Sequence, residues 1–223
     1  MRLVVEPTPE AAAEAAAAEI AGQLRAAIGD SGRASLAVSG GTTPVEMVRR
    51  LSQQDVDWVQ VDLFQVDERA VPHDDPARNW TLVAPLTELI PQSRCHAMPV
   101  ELDDGDVLYA RVLQDAAGSP PAIDVVHLGL GADGHTASLV PGDPGVDVTD
   151  RDVVWVGEYR GHRRMSLTVP VLRAARCQVW LVAGADKAAA LGDLVAGRSS
   201  APAARVIGTD AIIVADEAAL SRG

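Results

Sequence analysis

Short apolar runs rich in valine and isoleucine alternate along the chain with longer alanine-rich or amphipathic stretches. The runs predict strands at Leu3–Val5, Ala34–Val38, Val61–Val66, Ile123–Leu128, Val153–Val156, Gln178–Ala183 and Ala211–Val214. The stretches between them predict a first helix from the N-cap Thr8 and Pro9 to about Gly29, and further helices at Pro44–Gln53, Asp106–Ala117, Asp186–Ala196 and Asp216–Leu220. This alternation is typical of an α/β protein with a mostly parallel sheet.

The composition fits one globular domain over residues 1–223, since 48% of the residues are hydrophobic and no repeat or linker divides the chain. The most plausible internal break is the segment Gly118-Ser119-Pro120-Pro121. A net charge of −12 disfavours a nucleic-acid or anionic-membrane surface, so an anionic ligand would need a local site.

The two cysteines, Cys95 and Cys177, are far apart and indicate neither a disulfide framework nor a zinc site. The amino-terminal residues lack the long apolar segment of a signal peptide, and no apolar run approaches the length of a membrane span. We therefore expect a cytoplasmic protein that contacts neither membrane nor nucleic acid and binds no metal.

Ligands of an open parallel sheet bind beyond the carboxyl ends of its strands, so the residues that directly follow each strand are the informative ones. The first such junction is Ser39-Gly40-Gly41-Thr42-Thr43-Pro44. Thr43 and Glu46 have the spacing of a capping box, which places the glycines at a helix N-terminus where backbone N–H groups can bind phosphate. A simple glycine turn before a capped helix explains the same spacing.

The second junction is Asp67-Glu68-Arg69, which follows a predicted strand and precedes Arg78 and Asn79. An arginine at this place can bind phosphate oxygens in a bidentate manner, and the carboxylates can contact a sugar. Taken alone, however, the triplet is more typical of an exposed charged loop.

The third junction, Gly129 to Ser138, contains Gly129, Gly131 and Gly134 in the spacing of a dinucleotide-binding fingerprint. That reading fails because Pro141 and the residues after it leave no room for the long helix that the fingerprint requires. The glycines instead favour tight turns that expose Asp133 and His135. A histidine two residues from a carboxylate in such a loop is a candidate general base.

The fourth junction carries Lys187, the only lysine among 19 basic residues. Its compact ammonium group suits a phosphate oxygen, although an exposed lysine at a helix start has the same appearance. His127 lies inside an apolar run, where we expect a core histidine with satisfied hydrogen bonds.

Together these segments resemble the 6-phosphogluconolactonases, within the larger group that includes the glucosamine-6-phosphate deaminases. The matching segments occur in the family order and are Ser39–Pro44, Asp67–Arg69 with Val71, Pro72 and Asn79, Gly129–Ser138, Arg164–Thr168, and Lys187. One departure is Arg78, where the family usually has serine, and this departure concerns how the loop closes.

The resemblance implies a three-layer α/β/α fold around a Rossmann-like open sheet. It further implies hydrolysis of 6-phospho-D-glucono-1,5-lactone to 6-phospho-D-gluconate in the oxidative pentose phosphate pathway, without metal or organic cofactor. We expect a monomer whose partner is the sugar-phosphate lactone. Carried over by position, the catalytic residues would be His135, Asp133 and Asp67, and the phosphate-binding residues would be Ser39, Gly40, Gly41, Thr42, Arg69, Arg164 and Lys187.

Two alternatives remain open at this level. An amino-sugar phosphate deaminase or isomerase of the same fold carries a glutamate before the proline that follows the histidine, and Val140 occupies that place here. Proton transfer at two carbons needs this additional acid or base, so an apolar residue favours the lactonase. The second alternative is a non-catalytic sugar-phosphate sensor.

Overall fold

The structure of the protein is a computed structural model that describes residues 1–221. Its strands are β1 (Arg2–Glu6), β2 (Ala34–Val38), β3 (Val61–Gln65), β4 (Asp67–Arg69), β5 (Cys95–His96), β6 (Val125–Gly129), β7 (Val153–Tyr159), β8 (His162–Leu167), β9 (Cys177–Val182) and β10 (Ile212–Asp216). Its α-helices are α1 (Pro9–Ser31), α2 (Pro44–Leu51), α3 (Ala84–Thr87), α4 (Gly105–Ala117), α5 (Val169–Arg173), α6 (Ala188–Val195) and α7 (Pro202–Val206). Short 3-10 turns complete the connections.

Seven strands form a parallel sheet in the order β1-β10-β9-β6-β2-β3-β5. Helices α1, α2 and α3 pack on one face of this sheet, and α4 to α7 pack on the other. The three-layer α/β/α fold is therefore confirmed. No helix within residues 1–221 combines the length and the apolar character that crossing a membrane requires.

The strands of the parallel sheet are buried on both faces, which explains their continuous apolar sequences. On β6, for example, Val125 belongs to the core beneath α1, whereas Val126 and Leu128 belong to the core on the opposite face. The predicted strands at this sheet agree with the structure to within two residues at each end.

A second sheet contains β4, β8 and β7 in antiparallel order. Two predictions are wrong here: Val153–Val156 belongs to this sheet and not to a parallel one, and Asp67–Arg69 is a strand whose first two residues are buried. The hairpin between β7 and β8 turns at Arg160 and Gly161, whose φ angles of 53° and 83° are those of a tight hairpin turn. β8 begins with polar residues, so the pattern of hydrophobic positions does not predict this strand.

Several helix ends also differ from the predictions. Helix α1 continues to Ser31 and ends at Gly32 in the left-handed conformation. The capping box at α2 is wrong, because the Thr43 side chain makes no capping hydrogen bond and Glu46 binds Arg49 and Arg50 instead. The segments predicted as helices at Asp186 and Asp216 begin or consist of 3-10 turns.

Candidate active site

A pocket of about 250 Å³ opens at the carboxyl ends of β2, β6 and β9, next to the second sheet. Nearly all the site residues predicted from the sequence line it: Ser39, Gly40, Gly41, Thr42, Asp67, Arg69, His135, Arg164 and Lys187. The remaining one, Asp133, reaches the pocket through its contact with His135. The predicted junctions therefore converge on one place, while the roles of these residues stay predictions.

The loop after β2 forms one wall of the pocket. Gly40 approaches Asn79 so closely that a Cβ atom would overlap the amide side chain, and Gly41 has a φ of 110°, which strongly favours glycine. The loop leads into α2, whose first residue is Pro44. Backbone N–H groups before a helix of this kind can bind an anion.

The loop after β6 holds His135 and Asp133 together. The Asp133 Oδ1 atom accepts hydrogen bonds from the backbone N–H of His135 at 3.1 Å and pairs with the imidazole Nδ1 atom at 2.5 Å. The Gly131 N–H donates to the His135 carbonyl, and a Cβ atom at Gly131 would overlap the imidazole ring. The glycine pattern therefore fixes the His135–Asp133 pair and is followed by no α-helix before α5.

The His135–Asp133 contact has an electrostatic consequence for the carboxyl group. Partial burial raises the pKa of Asp133, but hydrogen bonds from the His135 backbone and ring, together with the ring's charge, outweigh burial and lower that pKa below its usual value. An ionised Asp133 next to Nδ1 favours the tautomer that carries its proton on Nδ1. The Nε2 atom is then the proton acceptor.

Asp67 lies on β4 and is almost completely buried. Its Oδ2 atom accepts a hydrogen bond of 2.5 Å from the Ser138 hydroxyl and lies 3.9 Å from the Arg164 Nη1 atom. This carboxylate is thus fixed by the loop that carries His135 and by the antiparallel sheet.

Four cationic residues of the described chain border the pocket, and the three that were predicted from the sequence are each held differently. The Arg69 guanidinium donates to the Ala77 carbonyl at 2.6 Å. The Arg164 side chain is only 8% exposed, and burial lowers the pKa of its guanidinium. The Lys187 ammonium pairs with the exposed Asp186 carboxylate at 2.9 Å. These cations supply local positive charge in an acidic protein.

The unusual Arg78 closes the loop between β4 and α3. Its buried guanidinium pairs with Glu101 at 2.6 Å and with Glu68 at 3.3 Å. Glu68 is fully buried and also accepts from the backbone N–H groups of Asn79 and Trp80. An ionic network thus holds this loop against the pocket, and the expectation of an exposed charged loop is wrong.

Sequence reasoning did not single out Tyr159 and Arg160, two polar residues of the pocket wall. They lie where β7 ends and the hairpin turns. The sequence signal for this turn is Gly161, which lies between two segments of partly alternating polar and apolar residues. The signal is weak because two-residue hairpin turns prefer asparagine, aspartate or glycine before the glycine, and this turn has arginine.

His127 differs from its prediction in one respect. It is buried as expected, but neither ring nitrogen has a hydrogen-bond partner among residues 1–221. Burial lowers the pKa of the imidazole to about 4, so the ring is neutral near pH 7. His127 lines the pocket, as does Ser39, whose hydroxyl likewise has no partner in the part of the chain that the structure describes.

Comparison with known proteins identifies the family of the chain. Residues 7–214 match the model of the family described as glucosamine-6-phosphate isomerases/6-phosphogluconolactonase. The chain belongs to this family. Among its relatives, a 6-phosphogluconolactonase of Synechocystis is 38% identical over 78% of this chain and 76% of that protein. Another, from Streptomyces coelicolor, is 37% identical over 91% and 87% of the two chains.

The fold of the family is also found in solved structures. A 6-phosphogluconolactonase from Trypanosoma cruzi superimposes with a TM-score of 0.88 over 98% of this chain and 95% of that one. The two sequences are 22% identical, so this likeness concerns the fold. Since the family includes both isomerases and lactonases, the choice between these activities depends on the residues of the pocket.

Proposed function

We propose that the protein hydrolyses 6-phospho-D-glucono-1,5-lactone to 6-phospho-D-gluconate, a reaction of the oxidative pentose phosphate pathway. The observation that carries this proposal is that a His135–Asp133 pair lies at the same pocket as a glycine loop and several cationic side chains. The pair can activate water, and the cations and loop can hold a phosphorylated sugar.

In the proposed reaction His135 is the general base. Its Nε2 atom takes a proton from a water molecule while the water oxygen attacks the lactone carbonyl carbon. Asp133 accepts the hydrogen bond from Nδ1 and stabilises the imidazolium that forms. The tetrahedral intermediate then breaks the bond between the carbonyl carbon and the ring oxygen, and the imidazolium returns its proton to that oxygen. The new carboxyl group releases one proton to solvent, which gives 6-phosphogluconate.

The phosphate group binds to the loop Ser39–Thr42 and to the three cations Arg69, Arg164 and Lys187. Binding at the phosphate fixes the orientation of the reacting carbonyl, so the binding energy is used for positioning. Asp67, held by Ser138, faces the sugar hydroxyl groups. A lactone carbonyl is already reactive, so this chemistry requires no metal, organic cofactor or covalent nucleophile.

An amino-sugar phosphate deaminase is the alternative within the family. The position where such enzymes are expected to carry an additional glutamate is Val140, which can neither donate nor accept a proton. This residue favours the lactonase. We further propose that the protein acts in the cytoplasm as a monomer with one catalytic domain over residues 1–223, and that it binds neither nucleic acid nor membranes.

The test compares two substrates with the purified protein. Freshly generated 6-phosphogluconolactone is followed by acid release, corrected for its spontaneous hydrolysis, and glucosamine 6-phosphate is followed by ammonia release. We expect turnover of the lactone and no ammonia. Ammonia release with no acceleration of lactone hydrolysis would assign the protein to the deaminases, and activity on neither would favour the sensor.

A further inference from the structure

Tyr159 contacts both members of the His135–Asp133 pair. Its hydroxyl donates a hydrogen bond to the Asp133 Oδ2 atom at 3.4 Å. Its ring packs edge-to-face against the imidazole of His135, with 5.3 Å between the ring centroids and an angle of 63°. The other carboxylate oxygen, Oδ1, is the one that holds the imidazole. The two oxygens of Asp133 therefore have separate partners.

The backbone of the same residue contacts the cationic side of the pocket. The Tyr159 carbonyl accepts hydrogen bonds from the Arg164 Nε and Nη2 atoms, both at 3.3 Å. The guanidinium carbons of Arg164 and Arg160 lie 5.4 Å and 5.2 Å from the tyrosine ring centroid. Cations at this distance from an aromatic ring are attracted to its face. Tyr159 thus lies between the candidate base and a candidate phosphate ligand.

The hairpin gives Tyr159 a defined position. The residue ends β7 and pairs with His162 across the turn. Arg160 at the turn has a φ of 53°, a left-handed conformation that is uncommon for a non-glycine residue. At this position the ring lies against the loop after β6.

We infer that Tyr159 is a positioning residue that fixes the carboxylate of Asp133, and through it the imidazole of His135, in the orientation for accepting a proton from water. This inference rests on the proposed function of the pocket. The hydroxyl prevents rotation of the carboxylate and takes up part of its negative charge. The ring limits rotation of the imidazole.

The effect on proton transfer has a definite direction. Without the hydroxyl, more of the Asp133 charge acts on the imidazole and favours its protonated, inactive form. The charged groups that also face this region are Asp67, Arg69, Arg160, Arg164 and Lys187, with Asp186 paired to Lys187. All of them remain in a Tyr159→Phe variant, so a change can be assigned to the hydroxyl.

The first measurement is the pH dependence of lactone hydrolysis by Tyr159→Phe. We expect kcat to fall about two- to tenfold, the factor that one hydrogen bond of ordinary net strength supplies. The acid limb of the kcat profile should move to higher pH. KM should change less than kcat, because the variant keeps the backbone carbonyl that binds Arg164.

The matched control is Tyr109→Phe, at the only other tyrosine. The Tyr109 hydroxyl is buried and binds the backbone of Gln65, away from the pocket. Its removal should lower the stability of the protein and leave the acid limb where it is in the wild type. Tyr159→Phe should show the opposite combination, with a shifted limb and nearly unchanged stability.

A second readout does not require activity. The imidazole C–H signals of His135, assigned from the spectrum of His135→Asn, are titrated by NMR in the wild type and in Tyr159→Phe. A midpoint displaced to higher pH in the variant supports the inference. Equal midpoints together with an unchanged kcat profile would overturn it. If the wild-type protein hydrolysed no lactone, the proposed function would fail, and the NMR titration alone would still decide the role of Tyr159.

Discussion

The parallel sheet carries a histidine–aspartate pair at each of its two edges, and the surroundings of the two pairs differ. At the amino edge the His96 Nε2 atom lies 3.0 Å from Asp62 Oδ1, and at the carboxyl edge the His135 Nδ1 atom lies 2.5 Å from Asp133 Oδ1. His96 is stacked on Phe64 with 4.6 Å between centroids, whereas His135 borders an open pocket.

The charge balance of the two pairs also differs. Asp62 is bound in addition by Arg94 at 2.8 Å and lies 3.9 Å from Arg33. Burial raises the pKa of Asp62, while the hydrogen bond from His96 and the neighbouring positive charges lower it by more. The negative charge of Asp62 is therefore compensated by positive groups within the same cluster. A histidine–aspartate pair is suited to catalysis when it borders a cavity whose cations can bind a ligand. A pair is suited to a structural role when neighbouring side chains already compensate its charges.

The largest difference between the two histidine–aspartate pairs should appear in kcat when each imidazole is removed in turn. His135→Asn should keep the fold and the affinity for phosphate but lower kcat by about 10²–10⁴-fold, the usual contribution of a positioned general base. The rates are corrected for spontaneous hydrolysis. The acid limb of the pH profile should disappear with the imidazole.

His96→Asn is the matched control at the amino edge. It should leave kcat and KM within about twofold of the wild type, because the altered contact faces Asp62 and not the pocket. A His135→Asn variant with nearly wild-type kcat, or with the same acid limb, would show that another group is the base. Asp67 would then be the first candidate.

The histidine in the sheet interior separates the effect of burial from that of pairing. The pKa of His127 is about 4 in the folded protein and about 6.5 in an unfolded chain, so between these values the unfolded chain binds a proton that the folded protein does not. The free energy of unfolding should therefore fall as the pH is lowered from about 6.5 to 4, by up to about 3 kcal/mol from this residue.

Urea unfolding at a series of pH values measures this contribution. His127→Leu removes the titrating group, so the difference in stability between wild type and variant should change steadily over this pH range and become constant above it. Parallel curves for the two proteins would mean that the imidazole reaches water or a partner in the folded state.

The smallest expected effect concerns the cations of the two edges. Lys187→Ala should raise KM for the phosphorylated lactone about tenfold with a smaller change in kcat, because a phosphate contact acts equally in the ground state and the transition state. Arg94→Ala, at the amino edge, should leave KM unchanged in steady-state kinetics. An unchanged KM for Lys187→Ala would remove this lysine from the site.

The parallel sheet, and the meeting of the loops that follow its strands at one pocket, could be predicted from the sequence for a physical reason. Strands buried on both faces need continuous apolar runs, and tight loops need glycine, so β2, β6 and Gly131 are visible in the sequence alone. Gly131 is required for close packing against the His135 ring, whereas Gly134 has a φ of 80° and lies against Ala201, so these two glycines have local packing and backbone roles. These roles are consistent with the rejection of a dinucleotide site.

The antiparallel sheet was not predictable in the same way. β8 begins with charged residues, and β4 is a short segment whose carboxylates are buried through tertiary contacts with Asn79 and Ser138. Such burial depends on partners that are distant in sequence, so the local pattern of hydrophobic and polar residues does not predict it. The contribution of Tyr159 was missed for the same reason, since its partners Asp133 and Arg164 meet only in the folded protein.

The measurement that tests the central claim most directly is the ratio of kcat/KM for 6-phosphogluconolactone to that for unphosphorylated gluconolactone. The cations and the loop after β2 should bind the phosphate and orient the carbonyl towards His135, so we expect a ratio of about 100 or more. Comparable values for the two lactones would contradict the account, because the pocket would then accelerate hydrolysis without using its cationic wall.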